Sequence, residues 1–177
     1  MILNPQRSLL PAAFAALFVS VWCVPAVAFD TNKLEDFKTT NVCKYCDLTD
    51  APLSGRDMRG ADFQNANLSG AVMTKANMGE RPMEKRTLVT NFEDANLRRA
   101  DFTGANLHLA NFSNAYLREA NLTGADLSDA VLSKANLKGA ILTGANLKGA
   151  KLDDAKLDDV KFCKTVMPDG AVNDAGC

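Results

Sequence analysis

A five-residue repeat fills the middle of this chain, and residues 90–162 show it without interruption: TNFED ANLRR ADFTG ANLHL ANFSN AYLRE ANLTG ADLSD AVLSK ANLKG AILTG ANLKG AKLDD AKLDD VKF. Leu or Phe is the central residue of fifteen consecutive repeats, at positions 92, 97, 102, 107, 112, 117, 122, 127, 132, 137, 142, 147, 152, 157 and 162. Ala lies two residues before the centre in thirteen of the fifteen, and Thr90 and Val160 are the exceptions. The fold prediction therefore rests on residues 90–162.

A period of five fits neither regular secondary structure. On an α-helix, five residues advance about 500°, so the central side chains would spread around the whole helix. On a strand the side-chain period is two, so successive centres would point to opposite faces. A chain that returns Leu and Ala to one interior must therefore turn once in every repeat. Four turns of about 90° predict a square solenoid with about twenty residues per coil, whose stacked backbones lie about 4.8 Å apart.

The residue types fit this interpretation. Leu or Phe would fill the interior, and Ala would stay small where the wall bends. The residue between them is mostly Asn or Asp, whose short side chains hydrogen-bond nearby backbone groups in turns. The two remaining positions of each repeat are polar or Gly and are expected to face water.

The A(N/D)Lxx pattern, as in Ala95-Asn96-Leu97 and Ala125-Asp126-Leu127, resembles the pentapeptide-repeat family. The resemblance covers about two thirds of the chain. It implies an all-β fold, the right-handed quadrilateral β-helix of that family. The leading Cys-Lys-Tyr-Cys-Asp-Leu and the C-terminal tail are similar to exported bacterial members, including lumenal proteins of cyanobacteria.

The first 28 residues read as a secretory signal peptide. Arg7 precedes an apolar run over residues 9–24, and Ala26-Val27-Ala28 is a cleavage site of the A-x-A type. Cleavage before Phe29 would export the protein to the periplasm, or to the thylakoid lumen in a cyanobacterium. The run is short for a membrane span and contains Pro11, so we expect no membrane span in the mature chain.

The mature chain divides into three predicted parts. Residues 29–45 form a cap with a helix starting at Asp30 or Thr31, whose Leu34 and Phe37 share one face. Residues 46–164 form the repeat array, and residues 79–89 interrupt it as a charged surface loop. Residues 165–177 form a tail that folds over the last coil.

Four cysteines remain after removal of the leader, and they lie just outside the two ends of the array. An even number in an exported chain predicts two disulfides, and this placement favours Cys43–Cys46 and Cys163–Cys177. The Cys43-x-x-Cys46 spacing also leaves a thiol-redox role open. A haem attachment would need His at position 47, which is Asp, and a zinc site would need two further ligands nearby.

No set of residues in the sequence predicts catalysis, a cofactor or a metal site. His108 is the sole histidine, and its position directly after a repeat centre points it outward. No Ser or Cys nucleophile is expected beside it, so a catalytic triad has no support. The Asp residues occupy turn and surface positions of the repeats, where carboxylates are solvated.

Residues twenty apart should stack, so the composition of each wall can be read from the sequence. One wall would collect a basic strip next to an aromatic ring, which could bind an anionic partner: Arg98, Arg99, Tyr116, Arg118 and Lys138. Asp158 and Asp159 would end this strip. A neighbouring wall would stack Thr and Gly as a flat, uncharged surface suited to protein contact or to ordinary Thr pairing: Thr103, Gly104, Thr123, Gly124, Thr143 and Gly144.

These features favour a non-enzymatic, exported scaffold, monomeric or dimeric, that binds a protein partner the sequence does not identify. A second hypothesis is protection of DNA gyrase by DNA mimicry, an activity that the family resemblance implies for some members. That activity requires a strongly acidic, cytoplasmic rod, whereas the net charge here is −1. The same charge gives no reason to expect nucleic-acid binding. A third hypothesis is a thiol-redox protein that uses Cys43 and Cys46.

Overall fold

Single-residue bridges, rather than long strands, connect most of this chain. The structure, a computed structural model, describes residues 31–84 and 86–177. Its helix α1 spans Thr31–Thr40, and the strands β1, β2, β3 and β4 span Arg81–Met83, Arg86–Leu88, Thr165–Val166 and Val172–Asn173. The repeats between these elements each contribute one residue to a ladder of parallel bridges.

The ladder joins residues that are twenty positions apart. Asn91 pairs with Asn111, Asn111 with Val131, and Val131 with Lys151. Beside each bridge, the N–H of a repeat centre donates to a carbonyl of the next coil, as Phe92 does to Asn111 at 2.7 Å. Each coil contains four such bridge positions, so the repeats wind into a β-helix with four repeats per coil.

Each repeat contains one turn. The Ala N–H donates back to the carbonyl of the preceding centre, as from Ala105 to Phe102 at 2.9 Å. The residue before this Ala has a positive φ, 65° at Gly104 and 60° at Leu109, which is typical of a type II turn. The Asn or Asp of the repeat supports the turn, since its side-chain oxygen accepts the N–H two residues later, as Asp101 accepts that of Thr103 at 2.9 Å.

The interior is formed by the repeat centres and the small residues beside them. All centres from Leu48 to Leu147 are buried, and so are the Ala residues that line the bends. Three centres stack their rings along the axis, with centroid distances of 5.1 Å from Phe63 to Phe92 and 4.8 Å from Phe92 to Phe112. Burial of one such side chain stabilises the fold by about 1.5–3 kcal/mol.

Helix α1 closes the N-terminal end of the β-helix. Leu34 and Phe37 are buried on its inner face, and the Phe37 ring lies 4.9 Å from that of Phe63. The ladder begins at Val42, which pairs with Asp62, one repeat before the predicted start at residue 46. Cys43 takes the central position of this first repeat and is buried.

The predicted loop at residues 79–89 contains an insertion of nine residues, because the bridge spacing rises from twenty to 29 where it crosses the loop, as between Asp62 and Asn91. The insertion is an antiparallel hairpin of β1 and β2, which the sequence does not predict. The hairpin packs over Gly60, which has a φ of 67°. A Cβ at Gly60 would lie 2.8 Å from the Cβ of Leu88.

Thr90 replaces Ala at the base of the hairpin because it repairs a hydrogen bond that the insertion removes. In the regular array, the N–H of the last residue of a repeat donates to a carbonyl nineteen residues later, as Gly55 does to Thr74. The N–H of Gly60 instead donates to the Thr90 hydroxyl at 3.1 Å, and that hydroxyl donates to the Met58 carbonyl at 3.1 Å. The fully buried Thr90 side chain therefore joins the two coils across the insertion.

Replacing Thr90 by Val should remove this link while keeping the side-chain shape. The Gly60 N–H would lose its acceptor, and we expect the free energy of unfolding to fall by about 1–3 kcal/mol. The matched control is Thr143→Val, whose half-buried side chain forms no hydrogen bond within the described residues, and there we expect a change within about 0.5 kcal/mol. Urea unfolding measures both; equal losses in the two variants would contradict the repair role of Thr90.

The C-terminal end closes differently from the N-terminal end. The ladder continues to Val166, which pairs with Asn146, so a further repeat centred on Met167 follows the predicted array. The chain then reverses, β4 pairs antiparallel with β3, and Cys177 reaches Cys163 in a disulfide. The interior of this last coil stays half-buried: Leu152, Ala155, Leu157, Val160, Phe162 and Met167.

Candidate functional site

The residues of the predicted basic strip lie on one wall of the β-helix, which we call the basic wall: Arg98, Arg99, Tyr116, Arg118 and Lys138. Tyr116 occupies a bridge position between Asn96 and Asn136. The Arg99 N–H donates to the Arg118 carbonyl at 3.0 Å, which stacks these turns in adjacent coils. The ladder therefore holds the backbone of the basic wall in a fixed register.

Acidic side chains neutralise part of the basic wall. Arg99 Nε donates to Glu119 Oε2 at 2.8 Å, and the two side chains are 71% and 44% exposed. This hydrogen bond, together with the charge of Arg99, lowers the pKa of the Glu119 carboxyl below its ordinary value. Lys138 Nζ lies 3.7 Å from Asp159 Oδ2. Glu119 is not among the residues predicted for this strip, although its distance of twenty residues from Arg99 is a signal that could have identified it.

Arg98 and Arg118 are the cations of the basic wall that form no ion pair within the described residues. They stack in one column, since each directly follows a repeat centre. Arg118 Nε is buried and has no hydrogen-bond partner in the described part of the chain. The Tyr116 ring beside them is 53% exposed. Tyr and Arg are the residue types enriched at the centres of protein interfaces.

We call the neighbouring wall, which stacks Thr103, Thr123 and Thr143, the threonine wall. Its hydroxyl groups are poorly suited to binding a partner. Thr103 and Thr123 each donate to the Asp or Asn two residues before them, at 2.6 Å. These hydroxyl donors are therefore used within their own repeats instead of pairing between coils. The Thr column begins earlier than expected, since Thr74 donates to Ser54 at 2.9 Å.

The environment of His108 differs from the expectation. The sequence predicts no Ser beside this residue, and that was wrong, because Ser128 stacks twenty residues away. His108 Nδ1 lies 2.9 Å from both the Ser128 carbonyl oxygen and its Oγ, and 3.9 Å from Asp129 Oδ2. In the tautomer whose proton is on Nδ1, this nitrogen donates to the carbonyl oxygen and has no lone pair with which to activate the Ser128 hydroxyl.

The structure pairs Cys43 with Cys46 and Cys163 with Cys177, the pairing that the sequence favours. Cys43 occupies the Leu position of the first repeat and Cys46 the Ala position of the second, so their disulfide is part of the buried core. Within residues 31–84 and 86–177, no three His, Cys, Asp or Glu side chains are grouped to hold a metal ion. No helix in that same part of the chain is long and apolar enough to cross a membrane.

Comparison with solved structures found pentapeptide-repeat proteins. One is Rfr23 from the cyanobacterium Cyanothece 51142, with 27% identity over 73% of this chain and 92% of that chain, at a TM-score of 0.42. Another is HetL, involved in heterocyst differentiation regulation in Nostoc sp. strain PCC 7120, with 33% identity over 75% of this chain, at a TM-score of 0.30. This chain spans 62% of HetL.

A third structure is the plasmid-mediated fluoroquinolone resistance protein QnrB1, with 15% identity over 71% of this chain and 72% of that chain, at a TM-score of 0.34. Among curated protein sequences, none matches this chain. The family model for pentapeptide repeats matches this chain in eight copies, over residues 46–80, 90–129, 110–149 and 130–167. These residues are more than half of the chain and include nearly all of the bridge ladder. The protein is therefore a member of the pentapeptide-repeat family.

Proposed function

We propose that this protein is a non-enzymatic exported scaffold whose basic wall binds an acidic surface of another protein. The observation that carries the proposal is the column of Arg98 and Arg118 beside the exposed Tyr116 ring. Because the bridge ladder fixes the backbone beneath these residues, binding orders few groups beyond their side chains. The regular four turns per coil support a square cross-section, which would make this wall flat, and membership of the pentapeptide-repeat family supports a right-handed winding.

Export is the second part of the proposal. The predicted signal peptide, residues 1–28, lies outside the described residues. The support comes from the sequence motif and from the four cysteines, since disulfides persist in oxidising compartments such as the periplasm or the thylakoid lumen. An oxidising compartment would also keep the tail joined to the last coil.

A photo-cross-linking experiment in cells tests both parts. A photoreactive phenylalanine analogue at position 116 should give a cross-linked adduct in the exported fraction, on a mature chain that begins at Phe29. Arg98→Gln combined with Arg118→Gln should reduce the yield of this adduct at least about fivefold, because two unpaired cations are lost.

The matched control variant is Lys134→Gln combined with Lys148→Gln, which removes the same charge from exposed turn positions elsewhere. We expect that control to leave the adduct unchanged. Equal adducts from an analogue placed at position 134 would contradict the assignment of the basic wall. A chain that keeps residues 1–28 and stays in the cytoplasm would contradict export.

A further inference from the structure

The last coil of the β-helix differs in charge from all the coils before it. Its bridge positions carry Lys151, Lys156 and Lys161, where the preceding coil has Val131, Asn136 and Ile141. All three lysines are exposed. This coil is also the C-terminal edge of the ladder, where another chain could add its backbone.

Half of this edge is covered and half is open. The tail covers two bridge positions, since Phe162 donates to the Ala175 carbonyl at 2.8 Å and Val166 pairs with β4. The other two sides, at Lys151 and Lys156, have no such cover. Four of their N–H groups have no acceptor within the described residues: those of Leu152, Asp154, Leu157 and Asp159.

We infer that the lysines at these open positions prevent a second copy of this chain from pairing with the edge, and so keep the protein monomeric. In a two-fold symmetric dimer, the edge backbone of the second copy would run antiparallel to the edge backbone of the first. On the side of Lys151, the backbone groups that can bond to this second copy are the Ala150 carbonyl and the Leu152 N–H. When these two groups bond to their counterparts in the second copy, Lys151 lies directly opposite its own copy, with Cβ atoms about 4.5–5.5 Å apart.

The backbone excludes the register that would relieve this repulsion. Placing Lys151 opposite Asp153 of the second copy would need the Leu152 carbonyl as an acceptor. That carbonyl already accepts the N–H of Ala155 in the turn of its own repeat, at 3.0 Å. The opposite charges at 151 and 153 therefore cannot pair between two copies through this edge.

The same conclusion holds for every two-fold arrangement of the two ends. The last four bridge positions are Lys151, Lys156, Lys161 and Val166. The tail covers the sides of Lys161 and Val166, so an open side that pairs with an open side of the second copy must place lysine opposite lysine. Head-to-tail pairing is closed as well, because α1 covers the N-terminal end and Pro52, in the first coil, has no N–H to offer.

The test variant is Lys151→Asn combined with Lys156→Asn, which restores the Asn found at most inner bridge positions. Analytical ultracentrifugation should show the unmodified chain as a monomer and this variant as a concentration-dependent dimer. Removal of two like-charge contacts should lower the dissociation constant of the dimer at least about tenfold. Hydrogen exchange should show that the amides of Leu152 and Leu157 exchange rapidly in the unmodified chain and become protected in the dimer.

The matched control is Lys134→Asn combined with Lys148→Asn, which changes the net charge equally and should stay monomeric. A second measurement uses the unmodified chain in about 1 M NaCl, where the Debye length is about 3 Å, so screening should promote the same dimer. A test variant that stays monomeric would overturn the inference. So would an unmodified chain that is already dimeric, or a dimer in which the amides of Leu152 and Leu157 stay unprotected.

Discussion

Replacing Phe92 by Ala should lower the free energy of unfolding by about 3–5 kcal/mol, one of the two largest single effects that we expect. Phe92 is fully buried, and its ring stacks between those of Phe63 and Phe112. It also meets the edge of the Phe102 ring at a centroid distance of 5.9 Å. The loss would leave a cavity between coils whose backbones the bridge ladder holds at fixed spacing, so the site cannot collapse. Urea unfolding of the folded chain measures this change.

The matched control is Phe162→Ala, the same substitution in the last coil. Phe162 is half-buried there, so its removal takes less apolar surface out of the core and leaves a space that water can enter. We expect a loss clearly smaller than for Phe92. Equal losses at the two positions would mean that the axial ring stack contributes nothing beyond ordinary burial at the end of the rod.

Removing the C-terminal disulfide is the second large effect. Cys163 and Cys177 are fourteen positions apart, and in the chain-entropy account a closed loop of about fifteen residues contributes about 3 kcal/mol. We therefore expect Cys163→Ser combined with Cys177→Ser to lower the free energy of unfolding by about that amount. The effect should begin locally, because the tail is held to the last coil by few other contacts, among them Lys164 N–H donating to Asp174 Oδ1 at 3.1 Å.

Hydrogen exchange separates this local effect from a global one. In the serine variant, the amides of Phe162 and Met167 should exchange faster, since their acceptors Ala175 and Ala171 belong to the tail. The amide of Phe112, deep in the array, should keep its protection relative to global unfolding. Unchanged exchange at Phe162 and Met167 would show that the tail stays in place without the disulfide.

The array was predictable from sequence because one geometric constraint is repeated in every coil. A Leu or Phe at every fifth position allows only a chain that turns once per repeat, and the small Ala beside it marks the bend. The ends were less predictable. Cys43 and Met167 lie on the five-residue period, but the residues two positions before them are Asn41 and Thr165 instead of Ala, so the extra repeats that they centre depart from the pattern.

The hairpin at residues 79–89 was not predictable either, since its strands are three residues each and are mostly exposed. Thr90 is the reverse case. The sequence shows it as an exception to the Ala pattern. Threonine is needed there because the insertion leaves the Gly60 N–H without its usual acceptor, and the Thr90 hydroxyl accepts it instead. The sequence marks the position, and only the three-dimensional contacts explain it.

Contact of the basic wall with a partner stays a prediction. The stacking rule placed the five residues of that wall in adjacent coils. It did not show how they pair. Glu119 and Ser128 both lie twenty residues from their partners, Arg99 and His108, so the rule contained this information. The unpartnered Nε of Arg118 could not be read from sequence, because it depends on how one side chain packs between coils.

Residues twenty apart are neighbours in the hydrogen-bonded ladder of this β-helix. The most direct test is an NMR measurement of scalar couplings across hydrogen bonds in the folded protein. We predict a coupling from the amide nitrogen of Phe112 to the carbonyl carbon of Val131, whose N–H to oxygen contact has a nitrogen–oxygen distance of 2.7 Å. A coupling from Phe112 to the carbonyl of His108, four residues earlier as in an α-helix, would contradict the account.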